Sequence, residues 1–147
     1  MNHRAALVAS VAFVVLAIAF VPAALAGKGS HGNGGTTTGT STLSLAVPLW
    51  VDLNGNNLPN WGDTVTFNVS TTATTEPFLE LDCSQNGVVV YGANTGYFDS
   101  YTWPWTKYMK LGSQMWTGGD AACTATLFMF VGGKQKTLAT LNFTAYA

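Results

Sequence analysis

From residue 43 onward the chain alternates between apolar and polar positions. Leu43, Leu45 and Val47 predict a first strand that ends near Pro48. Val65, Phe67 and Val69 form one face of a second, with Thr64, Thr66, Asn68 and Ser70 on the other. Leu79, Leu81 and Cys83 mark a third, and Gly87 to Tyr91 a fourth, entered through the turn signal Gln85-Asn86-Gly87. Thr106 to Leu111 predicts a fifth. Ala121, Cys123, Ala125, Leu127 and Met129 share one face of a sixth, and Gly132-Gly133 turns into a seventh with Ala139, Leu141, Phe143 and Ala145 inward. A period of two places alternate side chains on opposite faces of a sheet, and no stretch after residue 42 carries a helical period. About seven short strands separated by turn residues predict an all-β, antiparallel β-sandwich.

The pattern changes before residue 43. Arg4 and His3 precede an uncharged run from Ala5 to Ala26 that ends Ala24-Leu25-Ala26. A basic start, an apolar stretch and small residues at the end fit a signal peptide over residues 1–26, cleaved before Gly27. The run is also long enough to span a bilayer, so a retained anchor is the alternative. Residues 27–42, GKGSHGNGGTTTGTST, are too polar to build a core and read as a Gly/Ser/Thr-rich linker. The folded domain is assigned to residues 43–147.

Removing residues 1–26 of 147 leaves 121, enough for one domain with its own core. This part holds five lysines, no arginine and seven carboxylates. Nucleic-acid binding requires a basic face that displaces counterions, and the composition supplies none. Its two cysteines, Cys83 and Cys123, both fall in the inward phase of their strands. In an exported chain this predicts one disulfide, with two buried thiols as the alternative. The pattern leaves open whether such a bridge joins two sheets or two neighbours in one sheet. A secreted or cell-surface location follows from the leader and the cysteines together.

Three groups of residues are candidates for chemistry. The first is the loop Asp52 to Asp63. Counted from Asp52, oxygen-bearing side chains fall at positions 1, 3, 5, 9 and 12: Asp52, Asn54, Asn56, Asn60 and Asp63. That spacing matches hard-oxygen calcium loops. Asn57 where such loops have glycine, Pro59, the following strand and the small number of charges depart from it. The competing reading is a connection rich in Asn, Gly and Pro because those residues make turns. Calcium is the one cofactor considered, and no other is indicated.

The second group is aromatic. Tyr97, Tyr101, Trp103, Trp105 and Trp116 lie in a segment that also holds Tyr91, Phe98 and Tyr108. In an extended Trp103-Pro104-Trp105 the two indoles face the same way as a platform for a sugar chain or another apolar ligand. The alternative is that these rings fill or cap the core. The third group is catalytic. The folded part has no histidine and no arginine, so a Ser-His-Asp arrangement or a histidine-based zinc site has no basis. Carboxylates alone remain (Glu76, Glu80, Asp82, Asp99 and Asp120), and Glu80 and Asp82 alternate outward as surface charges do. No catalytic residue is assigned.

Asn54-Gly55-Asn56 followed by Gly62-Asp63-Thr64-Val65-Thr66-Phe67 resembles the loop-to-strand segment of immunoglobulin-like repeats in bacterial surface and secreted proteins. Asn60-Trp61-Gly62-Asp63, Trp116-Thr117-Gly118-Gly119 and Ala122-Cys123-Thr124-Ala125 are similar to small secreted bacterial proteins of unknown function. The resemblance implies an immunoglobulin-like sandwich and a non-catalytic interaction or structural module. A carbohydrate-binding module and a subunit of an extracellular assembly are the alternatives. The partner is then an extracellular protein or glycan. Contact with a membrane arises only through an uncleaved N-terminal segment. A single copy of the motif departs from the repeats and argues against a long stalk.

Overall fold

The structure is a computed structural model and describes residues 39–147. The signal peptide assigned to residues 1–26, and the linker up to residue 38, lie outside the described residues. Eight strands follow: β1 Ser41–Leu45, β2 Thr64–Val65, β3 Phe67–Thr71, β4 Phe78–Gln85, β5 Val88–Gly96, β6 Met109–Lys110, β7 Ala121–Val131 and β8 Lys134–Ala145. A single 3-10 turn, Pro104–Lys107, interrupts them. The domain is all-β, and the strands pair antiparallel in three sheets: β1-β3, β2-β6 and β5-β4-β7-β8.

Turn chemistry fixes the four-stranded sheet. Asn86 and Gly87 take φ values of 51° and 81°, Gly132 and Gly133 take 57° and 74°. Two successive positive-φ residues make the hairpin turn whose twist matches the flanking strands, and Asn and Gly reach that conformation most readily. The register follows: Gln85 opposes Val88, and Val131 opposes Lys134. In β4 and β7 the alternation holds as read from the sequence, with Leu79, Leu81, Cys83, Ala121, Cys123, Ala125 and Leu127 all buried. Burying each leucine contributes about 1.5–3 kcal/mol. Val65 and Phe67 come from β2 and β3, Met109 from β6 and Ala145 from β8, and together with the β4 and β7 residues they form one core.

Cys83 and Cys123 form the one disulfide, and they face each other as register partners on the neighbouring strands β4 and β7. The bridge lies within one sheet, across its two central strands.

Several sequence boundaries shift. Ser41 and Thr42, read as linker, belong to β1. The predicted second strand is split at Thr66, and its halves pair with different partners, β2 with β6 and β3 with β1. The predicted strand over Thr106 to Leu111 is a 3-10 turn followed by the two-residue β6. Pro104 at the start of that turn fixes φ and favours it. The β7-β8 hairpin extends back to Lys134, and its register jumps between Leu127 and Phe128, a bulge that leaves Leu127, Phe128 and Met129 all buried in succession. On the other face of the sheet Phe78 packs against Phe128, Phe130, Phe98 and Tyr101 at ring separations of 5.7, 5.3, 5.6 and 6.4 Å.

Candidate functional site

The loop after Val51 closes on itself. The Asp52 Oδ1 accepts the Gly55 N–H at 2.8 Å and Oδ2 accepts the Asn57 N–H at 2.7 Å. Asn54 Oδ1 accepts from Asn56 N at 3.1 Å, and Asn56 Oδ1 from Leu58 N at 2.7 Å. Asn57 sits at φ 57°, the left-handed conformation that asparagine tolerates. Asp63 is fully buried, with Oδ1 accepting from Leu53 N at 2.9 Å and Oδ2 from Asn60 N at 2.8 Å. These are the side-chain-to-backbone bonds of consecutive turns. Asn60 Oδ1 alone is buried without a partner among the described residues. The five residues predicted from spacing do lie in one loop, but four of them spend their oxygens on the loop's own N–H groups. No cluster of three or more His, Cys, Asp or Glu side chains forms among the described residues. The loop is a self-braced connection.

The aromatic candidates separate into two groups. Trp116 is 5% exposed and its Nε1–H donates to the Gly119 carbonyl at 3.0 Å, so it is a core residue and not part of a ligand face. The Tyr97 hydroxyl is tied to Thr66 Oγ1 at 2.8 Å and to Phe67 N at 3.0 Å, which pins the end of β5 onto the β2-β3 junction. Burial pushes its phenol above the ordinary value, as it does for Tyr91. Tyr101 lies over Gly96, where a Cβ would collide with the ring, and belongs to the Phe78 cluster. These three side chains build the domain.

Trp103 and Trp105 are different: they are 53% and 59% exposed. Their rings do not lie coplanar. They meet edge-on at 4.9 Å with a 69° interplanar angle, because the 3-10 turn replaces the extended backbone on which a shared direction depends. A face-to-face stacked pair lies elsewhere. Trp50 stacks on Tyr108 at 4.1 Å and 25°, with the two residues 60% and 40% exposed. Both pairs are rigidly mounted. Thr106 Oγ1 donates to the Trp103 carbonyl at 2.7 Å and bonds the buried Thr95, and Tyr108 N donates to the Trp105 carbonyl at 3.1 Å. Trp50 lies between buried Leu49 and the exposed Val51, and the Val51 backbone exchanges two hydrogen bonds with Thr64. The four rings thus form two exposed pairs, tied to each other through the backbone bond between Tyr108 and Trp105.

An open groove of about 680 Å³ is lined by Leu53, Trp61, Lys110, Ser113 and Gln114. The Trp61 ring lies across Gly112, and its backbone N–H donates to the Tyr146 carbonyl at 2.7 Å. Sequence reasoning placed Tyr108 within the candidate aromatic segment without singling it out, and assigned no ligand role to Trp50 or Trp61. The available signal was that Trp50 alternates with buried Leu49.

Glu80 and Asp82 project from the other face of β4, beside Asn94 and Thr126 and beside Gly92 and Thr124. Comparison of the chain with protein-family models, curated proteins and solved structures finds no match.

Proposed function

We propose that this chain is a secreted, non-catalytic interaction module, built on an immunoglobulin-like β-sandwich, that engages an extracellular or cell-surface partner through its exposed aromatic strip. The observation that carries the reading is the group Trp50, Trp103, Trp105 and Tyr108, each 40–60% exposed on braced backbone. Clusters of large exposed apolar side chains mark interaction sites in soluble domains. Tryptophan and tyrosine supply most of the binding energy at such surfaces.

The sandwich assignment is supported by two small antiparallel sheets and one larger sheet sharing a single core. The disulfide departs from the inter-sheet bridge of antibody domains, since it links neighbours within one sheet. Export is supported by that disulfide together with the leader-like residues 1–26.

The test is retention on intact cell envelopes. The secreted chain is expected to sediment with envelopes. The triple variant Trp50→Ala/Trp103→Ala/Trp105→Ala, with an unchanged melting temperature, is expected to stay in the supernatant. Equal retention of the two proteins would remove the aromatic strip from the function.

A further inference from the structure

We infer that the two ring pairs, Trp50 with Tyr108 and Trp103 with Trp105, insert into the interfacial layer of a lipid bilayer that carries anionic headgroups. This rests on the interaction-module reading and names the chemistry of its partner. The contact is separate from any that residues 1–26 would make.

The rings project as knobs. Trp50 has one face covered by Tyr108 at 4.1 Å and is still 60% exposed. Trp103 and Trp105 meet edge-on, and each is more than half exposed. Five surface cavities of about 290 to 680 Å³ lie elsewhere, and none is lined by any of these four rings. Rings stacked on each other or set edge-on offer a rigid ligand neither a flat nor a concave seat. A fluid layer needs none, because headgroups and acyl chains close around a projecting apolar side chain. Val47 and Val51, on the same uncharged stretch as Trp50, are also exposed.

The ring edges suit that layer. Buried Trp116 spends its indole N–H on the Gly119 carbonyl. The side chains of Trp50, Trp103, Trp105 and Tyr108 make no hydrogen bond among the described residues. Each keeps an apolar body for the acyl region and a polar edge for headgroups and water. Tryptophan and tyrosine collect at membrane–water interfaces for this reason.

Charge selects the headgroup. Lys107 and Lys110 flank Tyr108 in a segment, residues 102–110, that holds no carboxylate. The Lys107 ammonium is steadied 5.3 Å from the centre of the Tyr97 ring. Asp52, the nearest acid after Trp50 in the chain, turns both oxygens to the N–H groups of Gly55 and Asn57. Two ammonium groups beside the rings complement lipid phosphates, each worth about a fivefold gain on an anionic surface.

The test is sedimentation of the purified chain with sucrose-loaded vesicles, one set of phosphatidylcholine alone and one of equal parts phosphatidylcholine and phosphatidylglycerol. Parent and variants share the same N-terminal residues, so the difference between them is what is read. The parent is expected to bind the mixed vesicles. Trp50→Ala and Trp103→Ala/Trp105→Ala, at unchanged melting temperature, should each weaken that binding about tenfold. Lys107→Gln and Lys110→Gln should each weaken it about fivefold and leave binding to phosphatidylcholine unchanged. Equal binding of the parent to both vesicles overturns the anionic headgroup. No binding to either, or binding indifferent to the tryptophan variants, overturns the bilayer contact. If vesicle binding is absent or indifferent while retention on intact envelopes needs the tryptophans, the bilayer is rejected. The interaction module then stands, with an envelope protein or glycan as its partner. Indifference to the tryptophans in both assays rejects both readings.

Discussion

Replacing Asp63 by alanine should unfold this domain more readily than any surface change. Its carboxylate is fully buried and joins three parts of the chain: it takes the N–H of Leu53 at 2.9 Å and of Asn60 at 2.8 Å, while its own backbone carbonyl accepts from Leu111 N at 2.8 Å. A hydrogen bond to a charged group contributes about 1.5–3 kcal/mol, and losing its partner leaves a donor unsatisfied. Two such bonds sum to about 3–6 kcal/mol, but Leu53 lies near the surface and water there offsets part of the loss. The net cost is then about 3 kcal/mol, a fall in Tm of about 10–20 °C for a domain of this size. Asp63→Asn keeps the shape and one acceptor while turning an amide N–H₂ toward a backbone N–H, so about half the loss is expected. Urea titration followed by tryptophan fluorescence on the purified chain measures all three proteins. An Asp63→Ala midpoint within about 1 kcal/mol of the parent would refute the role given to these bonds.

Three further outcomes follow from the same structure. The Cys83→Ala/Cys123→Ala variant, which opens a covalent loop with a sequence separation of 40, should lose up to about 4 kcal/mol by urea denaturation, and an unchanged midpoint would contradict a stabilising bridge. Because the oxygens of Asp52, Asn54, Asn56 and Asp63 accept the loop's own N–H groups, the melting temperature should be the same in millimolar calcium and in chelator. A clear rise with calcium would show an ion site after all. Tyr97 has its phenol raised above the ordinary 10.0 by burial, so its contribution is complete below that pH and is lost as pH rises through the folded value. Stability should fall in the strongly alkaline range, and Tyr97→Phe should flatten that fall while costing about 1 kcal/mol at neutral pH, both read by urea midpoints across pH.

The inward phase of β4 and β7 was legible because alternate residues of a strand see one face, and Leu79, Leu81, Cys83, Cys123 and Ala125 all obey it. The hairpin turns were legible as Asn86-Gly87 and Gly132-Gly133 because few residues adopt positive φ. The second half of β5 was not. Gly92, Ala93 and Asn94 have weak strand preference, and their pairing with β4 decides their conformation. Nor was the outer-face cluster around Phe78. It depends on a register bulge and on a loop folding back over Gly96, neither of which leaves a periodic trace. The aromatic site was half legible. Trp103 and Trp105 are exposed as a binding role needs, but their geometry follows from a 3-10 turn. The stacked pair joins Trp50 to Tyr108, residues far apart in sequence that only the β2-β6 pairing and the Val51 bridge bring together. The loop spacing that matches calcium sites serves equally well to cap its own backbone, and spacing alone does not separate those uses.

Hydroxyl-radical footprinting of the five tryptophans, read by mass spectrometry with and without isolated cell envelopes, tests the central claim most directly. In the free protein Trp50, Trp61, Trp103 and Trp105 should oxidise and Trp116 should not. On mixing with envelopes Trp50, Trp103 and Trp105 should become protected. If those three stay equally reactive while protection falls on the Glu80 and Asp82 face, the aromatic strip is not the surface through which this protein acts.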